Sequence, residues 1–236
     1  MPPKTLIIVP ALNESGSIVR VVSAIREHVP YADVVVINDG STDNTAELAR
    51  RAGAIVLQMP YNVGIGAAVQ TGFLYAARAG YEVAVQTDGD GQHPPSQIPG
   101  LIAALHEQSA DMMIGSRFLQ PTGYEQTAAR RAGGILLAWI LRLATGQPIS
   151  DPTSGFRASG VRAIALCARY YPHDYPEPEA VILLRRAGLI VKETPIEMHP
   201  RRTGRSSITP LRSGYYMVKV TLAILIHLLR APRAEA

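Results

Sequence analysis

The sequence predicts an α/β fold with a mostly parallel sheet. Short apolar runs alternate with helical patterns along the first half of the chain, and these runs are apolar throughout instead of at every second residue. Strands of that kind are buried on both faces, as in a parallel sheet that is covered by helices. Polar clusters follow the first, second and fourth runs, at the edge where such sheets bind ligands.

The predicted elements follow one another closely. In the first half we place strands at 6–9, 34–37, 55–57, 83–86 and 112–114, and helices at 17–27, 45–51, 65–78 and 98–107. Asp43 is expected to cap the helix at 45–51. The second half is less regular, with helices at 132–144 and 179–187, a polar turn at 151–155 and a strand at 190–193. The length allows one or two domains, and we expect one large domain, residues 1–208, followed by a segment at 209–236.

Composition limits the classes of function. The chain has 236 residues, of which 47% are hydrophobic, so it can bury a full core. Its net charge of +4 is concentrated near the C-terminus, which favours a phosphate ligand or an anionic membrane surface. Nucleic acid is disfavoured as a partner because no binding motif accompanies the arginines. The single cysteine, Cys167, excludes an internal disulfide and is expected to be a packed structural thiol in a reducing compartment.

The two ends of the chain also carry expectations. Residues 1–5 have no charged leader before a long apolar region, so no secretion signal is expected. The apolar run at 215–229 would reach about 22 Å as a helix, against the roughly 30 Å of a bilayer core. It therefore predicts either a helix in the membrane interface or a helix that packs on the domain or on a partner.

Asp88 and Asp90 are separated by Gly89 at the end of an apolar strand, so two carboxylates share a loop that a ligand can approach closely. Such oxygen ligands suit Mg²⁺ or Mn²⁺, and Gln92 adds a neutral carbonyl. An aspartyl-phosphate phosphatase motif, a calcium loop and a solvated turn share parts of this pattern. Gln92 disfavours the phosphatase motif. Pro99 disfavours an EF-hand calcium loop, because it stands at the twelfth position of such a loop.

Further motifs occur along the chain in a fixed order. They are Val9-Pro10-Ala11-Leu12-Asn13-Glu14, Ile37-Asn38-Asp39-Gly40-Ser41-Thr42-Asp43, Asn62-Val63-Gly64-Ile65-Gly66, Thr87-Asp88-Gly89-Asp90-Gly91-Gln92-His93-Pro94-Pro95, Gly115-Ser116-Arg117-Phe118 and Asp151-Pro152-Thr153-Ser154-Gly155-Phe156-Arg157. Together they closely resemble glycosyltransferase family 2, particularly the dolichyl- or polyprenyl-phosphate sugar transferases. The resemblance covers about residues 5–208 and departs from the family's usual pattern at Leu12, Asn38 and Ser207.

The resemblance implies an inverting transferase with a GT-A catalytic domain and a C-terminal amphipathic or membrane-interface helix with a basic tail. The C-terminal part of this expectation comes from the apolar run at 215–229 and the arginines around it, and the resemblance itself implies a role for each matched residue. The nucleotide sugar would contact Pro10, Ala11, Leu12, Glu14, Ile37, Asp39, Asp88, Gly89, Asp90, Arg202 and Arg205. The metal would be bound by Asp88, Asp90 and Gln92, the acceptor phosphate by Arg117, Arg130 and Arg131, and catalysis would depend on Asp90, Arg117 and Glu179.

The acceptor is the open question. A lipid phosphate is already an anion and can attack without a base, whereas a hydroxyl needs one, and Glu179 matches the position of that base in hydroxyl-using relatives. The leading hypothesis is transfer of a hexose from a UDP- or GDP-sugar to polyprenyl phosphate by a protein bound peripherally to the cytoplasmic membrane face. The alternatives are transfer to a glycan or protein hydroxyl, with Glu179 as base, and a sugar-nucleotide-binding subunit that needs a membrane-protein partner.

Overall fold

The computed structural model describes residues 2–120, 128–198 and Lys219. Within these residues, seven strands form one sheet with helices on both faces. The strands are β1 Thr5–Ala11, β2 Asp33–Asn38, β3 Ile55–Gln58, β4 Val83–Gln86, β5 Met112–Ser116, β6 Arg157–Gly160 and β7 Val191–Pro195. The helices are α1 Ile18–His28, α2 Thr45–Arg51, α3 Ile65–Arg78, α4 Ile98–Glu107, α5 Ala128–Thr145, α6 Val161–Tyr170 and α7 Pro176–Arg186, with a 3₁₀ turn at Pro95–Gln97.

The strand order is β3-β2-β1-β4-β6-β5-β7. The first four strands in this order are parallel, as are β5 and β7, whereas β6 pairs antiparallel with both β4 and β5. The predicted mostly parallel sheet is therefore confirmed. Strand β6 was not predicted, because its sequence Arg-Ala-Ser-Gly has neither an apolar run nor a regular alternation.

The core lies on both faces of the sheet, which explains why the strands are apolar at every position. On β1, Ile7 and Val9 pack with α1 and α4, while Leu6 and Ile8 pack with α3, α6 and α7 on the opposite face. Each of these four side chains is fully buried. Two covering layers leave the carboxyl ends of the strands as the open edge.

Helix boundaries agree with the predictions for α2, α3 and α4 and differ elsewhere. Helix α5 begins at Ala128, four residues early, because the segment before 132 has good helix formers but no apolar periodicity. Helix α7 begins at Pro176, which is favoured in a first turn because proline lacks the N–H that would be unsatisfied there. The N-cap of α2 is Asn44, so the predicted cap at Asp43 is wrong by one residue, although Asp43 still accepts the N–H of Thr45 at 3.0 Å.

No helix in the described ranges is both long and apolar enough to cross a bilayer. The predicted helix at 215–229 lies outside those ranges, apart from Lys219. The predicted donor-site residues Arg202 and Arg205 lie outside them as well.

The expected packing of the Cys167 thiol in the core is confirmed. The thiol is fully buried in the cluster between the sheet and α3, α6 and α7. Burial raises its pKa to about 12, although the charge of Arg157 opposes this rise. A thiol that is buried and protonated is an inert packing group.

The contact between α3 and β1 depends on Gly72. A Cβ atom added at this position would lie 2.4 Å from Cγ2 of Ile8, which is closer than packed atoms can approach. Gly72→Ala is expected to lower the free energy of unfolding by about 1–3 kcal/mol through overpacking. Gly100→Ala in α4 meets no atom within 4 Å and should raise it by up to about 1 kcal/mol. Urea unfolding of both variants checks this, and equal effects would contradict the proposed close packing.

Candidate active site

A cleft of about 370 Å³ opens at the carboxyl ends of β1, β2 and β4. It forms there because three neighbouring parallel strands end at the same edge of the sheet. Eight of the predicted nucleotide-sugar residues line it, together with four from the loop and helix after β3. The lining is Pro10, Ala11, Leu12, Glu14, Asp39, Asn62, Gly64, Ile65, Ala68, Asp88, Gly89 and Asp90.

Ile37 does not line the cleft, although it was predicted with the nucleoside pocket. Its side chain is fully buried in the core. In the register of β1 and β2 it lies opposite Pro10, and the chain reaches the cleft two residues later, at Asp39. Successive strand residues point to opposite faces of the sheet, and the side chain of Ile37 points into the core.

Asp39 fixes one wall of the cleft. Its carboxylate accepts the backbone N–H of Val63 at 2.8 Å and that of Gly64 at 3.1 Å. The loop before α3 is therefore held against the end of β2. A carboxylate has about four acceptor positions, so Asp39 retains capacity for a further donor such as the N–H of a nucleobase.

The end of β1 is joined to the loop before α2. The Glu14 N–H donates to Oγ1 of Thr45 at 2.8 Å, and the Asn13 side chain accepts the Thr42 N–H at 2.9 Å. Leu12 is 41% exposed at the rim. The rim is thus polar and ordered, with one apolar side chain presented to a ligand.

Asp88 and Asp90 occupy the floor of the cleft. Asp90 is buried, with its Oδ1 accepting the Gln92 N–H at 2.9 Å, whereas the Asp88 side chain remains 38% exposed. The backbone at Gly89 is close to β1, because a Cβ atom there would lie 3.2 Å from the Pro10 carbonyl oxygen. The carboxylate of Asp88 lies over Gly155, where a Cβ atom would be 3.1 Å from its Oδ1.

The two carboxylates fit a divalent cation that takes its remaining ligands from a substrate. Among the described residues, no group of three or more His, Cys, Asp or Glu side chains could hold a metal by itself. Mg²⁺ commonly binds through one or two carboxylates, substrate phosphates and water. Gln92 does not line the cleft, so the structure brings two of the three predicted ligands together.

His93 lies directly behind Asp88. The imidazole stacks on Phe156 with ring centroids 5.1 Å apart, and its Nδ1 is 3.5 Å from Oδ2 of Asp88, too far for a hydrogen bond. Burial lowers the pKa of His93, and this outweighs the opposing effect of Asp88.

Arg117 lies at the end of β5 and is paired with Asp151. Its Nε and Nη2 contact the two carboxylate oxygens of Asp151, each at 2.6 Å, and its Nη2 also donates to Oγ1 of Thr153 at 2.9 Å. Asp151 is fully buried. This bidentate pair fixes the plane of the guanidinium. The sequence motif containing Asp151 was visible, but its pairing with Arg117, 34 residues away, was not.

Two acidic side chains of α7 differ in their surroundings. Burial raises the pKa of Glu177, Arg157 opposes the rise and Asp88 adds to it, so Glu177 is electrostatically linked to the cleft. Glu179, the predicted base, is buried, and its Oε1 has no hydrogen-bond partner among the described residues. Burial and then the charge of Asp174 raise its pKa to about 7. The predicted base thus has a suitable pKa, whereas its neighbour has the link to Asp88.

The remaining predicted residues lie on or beyond α5. Arg130 and Arg131 belong to the first turn of that helix, which starts at Ala128. The structure describes the backbone of these two residues but not their side chains, so their predicted contact with an acceptor phosphate stays a prediction.

The sequence pattern of the family described as Glycosyl transferase family 2 matches residues 6–164. An undecaprenyl-phosphate mannosyltransferase of Micrococcus luteus is 30% identical over 239 residues, covering 92% of this chain and 93% of that protein. A UDP-N-acetylglucosamine–dolichyl-phosphate N-acetylglucosaminyltransferase of Methanococcus voltae is 28% identical over 211 residues, covering 81% and 84%. The chain belongs to glycosyl transferase family 2, and it is a glycosyltransferase by class.

A solved structure supports the fold. Glucosyl-3-phosphoglycerate synthase from Mycobacterium tuberculosis, in complex with Mn²⁺, UDP-glucose and glycerol 3-phosphate, superimposes with a TM-score of 0.71 at 22% identity. The match covers 99% of this chain and 82% of that chain. It confirms the predicted GT-A-like α/β fold.

The pKa of Glu179 makes stability depend on pH. Below its ordinary pKa of 4.5 the carboxyl is protonated in both states, whereas between pH 4.5 and about 7 ionisation stabilises the unfolded chain alone. Wild type should therefore lose about 2 kcal/mol relative to Glu179→Gln as the pH rises through this window. Urea unfolding at several pH values measures the difference. Glu107→Gln, at an exposed position on α4, is the control, and an equal pH response in both variants would contradict the assignment.

Proposed function

We propose that this glycosyltransferase moves a hexose, with inversion, from a UDP- or GDP-sugar to polyprenyl phosphate. The supporting observation is that Asp88 and Asp90 share one cleft with Asp39 and the end of β1. A cleft of about 370 Å³ is in the usual range for small-ligand sites. The nucleoside would lie near Asp39 and Leu12, and the diphosphate near the carboxylate pair.

Mg²⁺ or Mn²⁺ held by Asp88 and Asp90 would neutralise the diphosphate as it leaves. The position of the two carboxylates in one cleft supports this assignment. Arg202 and Arg205, in the segment 201–207, would close over the same diphosphate. The Mn²⁺ and UDP-glucose bound to glucosyl-3-phosphoglycerate synthase are consistent with a nucleotide sugar here.

An exposed apolar face of α5 supports a lipid acceptor. Ile135, Trp139 and Leu143 follow one another at four-residue intervals, and they are 62%, 58% and 67% exposed. A helix with such a stripe can lie in the interface of a bilayer, where the indole of tryptophan is favoured. Arg130 and Arg131 in the first turn of the same helix would attract an anionic surface or the acceptor phosphate. We therefore place the protein peripherally, at the cytoplasmic face of the membrane.

The relatives point to the same acceptor class. The two proteins named above are, by name, transferases that act on undecaprenyl phosphate and dolichyl phosphate. Their sugars differ, being mannosyl in one and N-acetylglucosaminyl in the other. The proposal therefore specifies the class of acceptor and leaves the hexose to experiment.

The chemistry requires no proton acceptor. An oxygen of the lipid phosphate would attack the anomeric carbon opposite the diphosphate, and the bond from that carbon to the diphosphate would break, its electron pair leaving with the nucleoside diphosphate. The attacking phosphate is already ionised, so no base is needed. Asp90 would act by holding the leaving group's counter-ion, and Arg117 by orienting the acceptor phosphate.

A second candidate is transfer to a hydroxyl with Glu179 as base. It is supported by the pKa of about 7, which is well matched to proton abstraction near neutral pH. The attacking hydroxyl would give its proton to the carboxylate as the new glycosidic bond forms.

Binding of the donor is tested by thermal unfolding with UDP-, GDP- and dTDP-sugars in the presence of Mn²⁺. One nucleotide class at 100 times its Kd should stabilise wild type by about 2.7 kcal/mol, because it binds the folded state alone. Asp90→Asn and wild type with a chelator should both lose most of this stabilisation. Failure of every sugar nucleotide to stabilise the protein would refute the donor site.

The acceptor is tested by comparing wild type with Glu179→Gln on polyprenyl phosphate and on soluble hydroxyl acceptors. We expect the variant to retain at least about half of the wild-type kcat on polyprenyl phosphate, because a phosphate nucleophile needs no base. If Glu179 is a general base, the variant should instead lose a factor of about 100 or more in kcat. Asp174→Asn, which keeps Glu179 and removes the charge beside it, is the matched control.

A further inference from the structure

The pair of Arg117 and Asp151 is connected to a third residue, Glu193 in β7. Glu193 accepts the Ser150 N–H at 2.7 Å through one carboxylate oxygen and the Asp151 N–H at 2.8 Å through the other. Its Oε1 also accepts the Ser150 hydroxyl at 3.1 Å. One carboxylate thus holds two consecutive backbone amides of the loop before β6.

Asp151 connects Glu193 to Arg117 through hydrogen bonds. Its backbone is held by Glu193, while its Oδ2 accepts the Arg117 backbone N–H at 3.1 Å and its two oxygens bind the guanidinium. The position of the guanidinium therefore follows from the position of residues 150–151. These residues have no regular secondary structure of their own.

The sheet supplies the rigidity that the loop lacks. Strands β5 and β7 are parallel neighbours, with Ile114 opposite Glu193 and Ser116 opposite Pro195. Arg117 follows directly after β5, and Ser116 Oγ lies 2.7 Å from Ser150 Oγ. Glu193, the loop and Arg117 thus meet at the ends of two paired strands.

We infer that Glu193 is a positioning residue for the acceptor: it fixes residues 150–151 so that Asp151 holds Arg117 in the orientation that receives the acceptor phosphate. The inference deepens the proposed function and rests on it, because it assigns the acceptor to Arg117. Glu193 itself lies apart from the cleft that would bind the donor. Its loss should accordingly affect the acceptor and spare the donor.

Glu193→Gln is the first test. The amide NH₂ of glutamine cannot accept an N–H, so one of the two backbone contacts is lost with little change in shape. We expect the KM for polyprenyl phosphate to rise about tenfold, since hydrogen bonds to charged groups are the stronger ones. The Kd for the sugar nucleotide should stay within about twofold of wild type. An unchanged KM for the acceptor, or an equal loss of donor affinity, would overturn the inference.

Asp111→Asn is the matched control. Asp111 also accepts a backbone N–H next to β7, from Ile190 at 2.8 Å, but it lies before β5, at the opposite end of the strand pair from Arg117. This variant likewise replaces a charged acceptor beside β7 with an amide, and it should leave the KM for the acceptor unchanged. If it raises that KM as much as Glu193→Gln does, the effect comes from general loosening of the sheet edge, and the inference fails.

A double-mutant cycle tests whether Glu193 acts through Asp151. Asp151→Asn should itself raise the KM for the acceptor, and adding Glu193→Gln should raise it by less than about twofold more, because residues in one chain of contacts are not additive. If the fold-changes in KM of the two substitutions multiply instead, Glu193 does not act through Asp151 and the inference is wrong.

Hydrogen exchange provides a readout that does not need turnover. In Glu193→Gln, peptides covering 116–118 and 149–153 should exchange about tenfold faster than in wild type, with the cleft peptides and Asp111→Asn unchanged there. If Glu193→Gln does not fold, Glu193→Asp, which keeps the charge but shortens the reach, serves in its place. Unchanged exchange in both segments overturns the inference. If hydrogen exchange changes as expected but the enzyme transfers the sugar to a hydroxyl acceptor alone, the proposed function is wrong.

Discussion

A buried guanidinium organises the irregular part of the molecule. Arg157 is 1% exposed, and its N–H groups donate to the carbonyl oxygens of Ser154 at 2.7 Å, Glu177 at 2.8 Å and Pro152 at 2.9 Å. A buried charge is tolerated when its donors are satisfied, so these carbonyls must point inward. This requirement shapes the loop before β6 and joins it to the start of α7. The loop that carries Asp151 is therefore joined to the first turn of α7, which carries Glu177 and Glu179.

The cleft proposed for the donor could be predicted from the sequence, for a physical reason. Strands β1, β2 and β4 are parallel neighbours, and the residues that follow each strand are polar. Such positions come together at the sheet edge whatever the loops do, so Asp39 and Asp88 could be placed in one cleft before the fold was known. Ile37 belongs to the same motif as Asp39, but it lies within β2 and its side chain is buried in the core.

The region around Arg117, which we propose for the acceptor, could not be predicted in the same way. Strand β6 is recognisable by its pairing alone, since Arg157–Gly160 has no strand periodicity. The contacts of Asp151 with Arg117 and with Glu193 join segments that are 34 and 42 residues apart. Spacing along the chain carries no signal for such contacts, because they arise from tertiary packing.

The inert thiol of Cys167 has a practical consequence. It is the chain's single cysteine, fully buried and protonated at neutral pH, so it should not compete for maleimide reagents while the protein is folded. A cysteine introduced at the exposed position of Leu143 could then carry an environment-sensitive fluorophore as the sole label. Site-specific fluorescence labelling of this enzyme should therefore not require removal of the native cysteine.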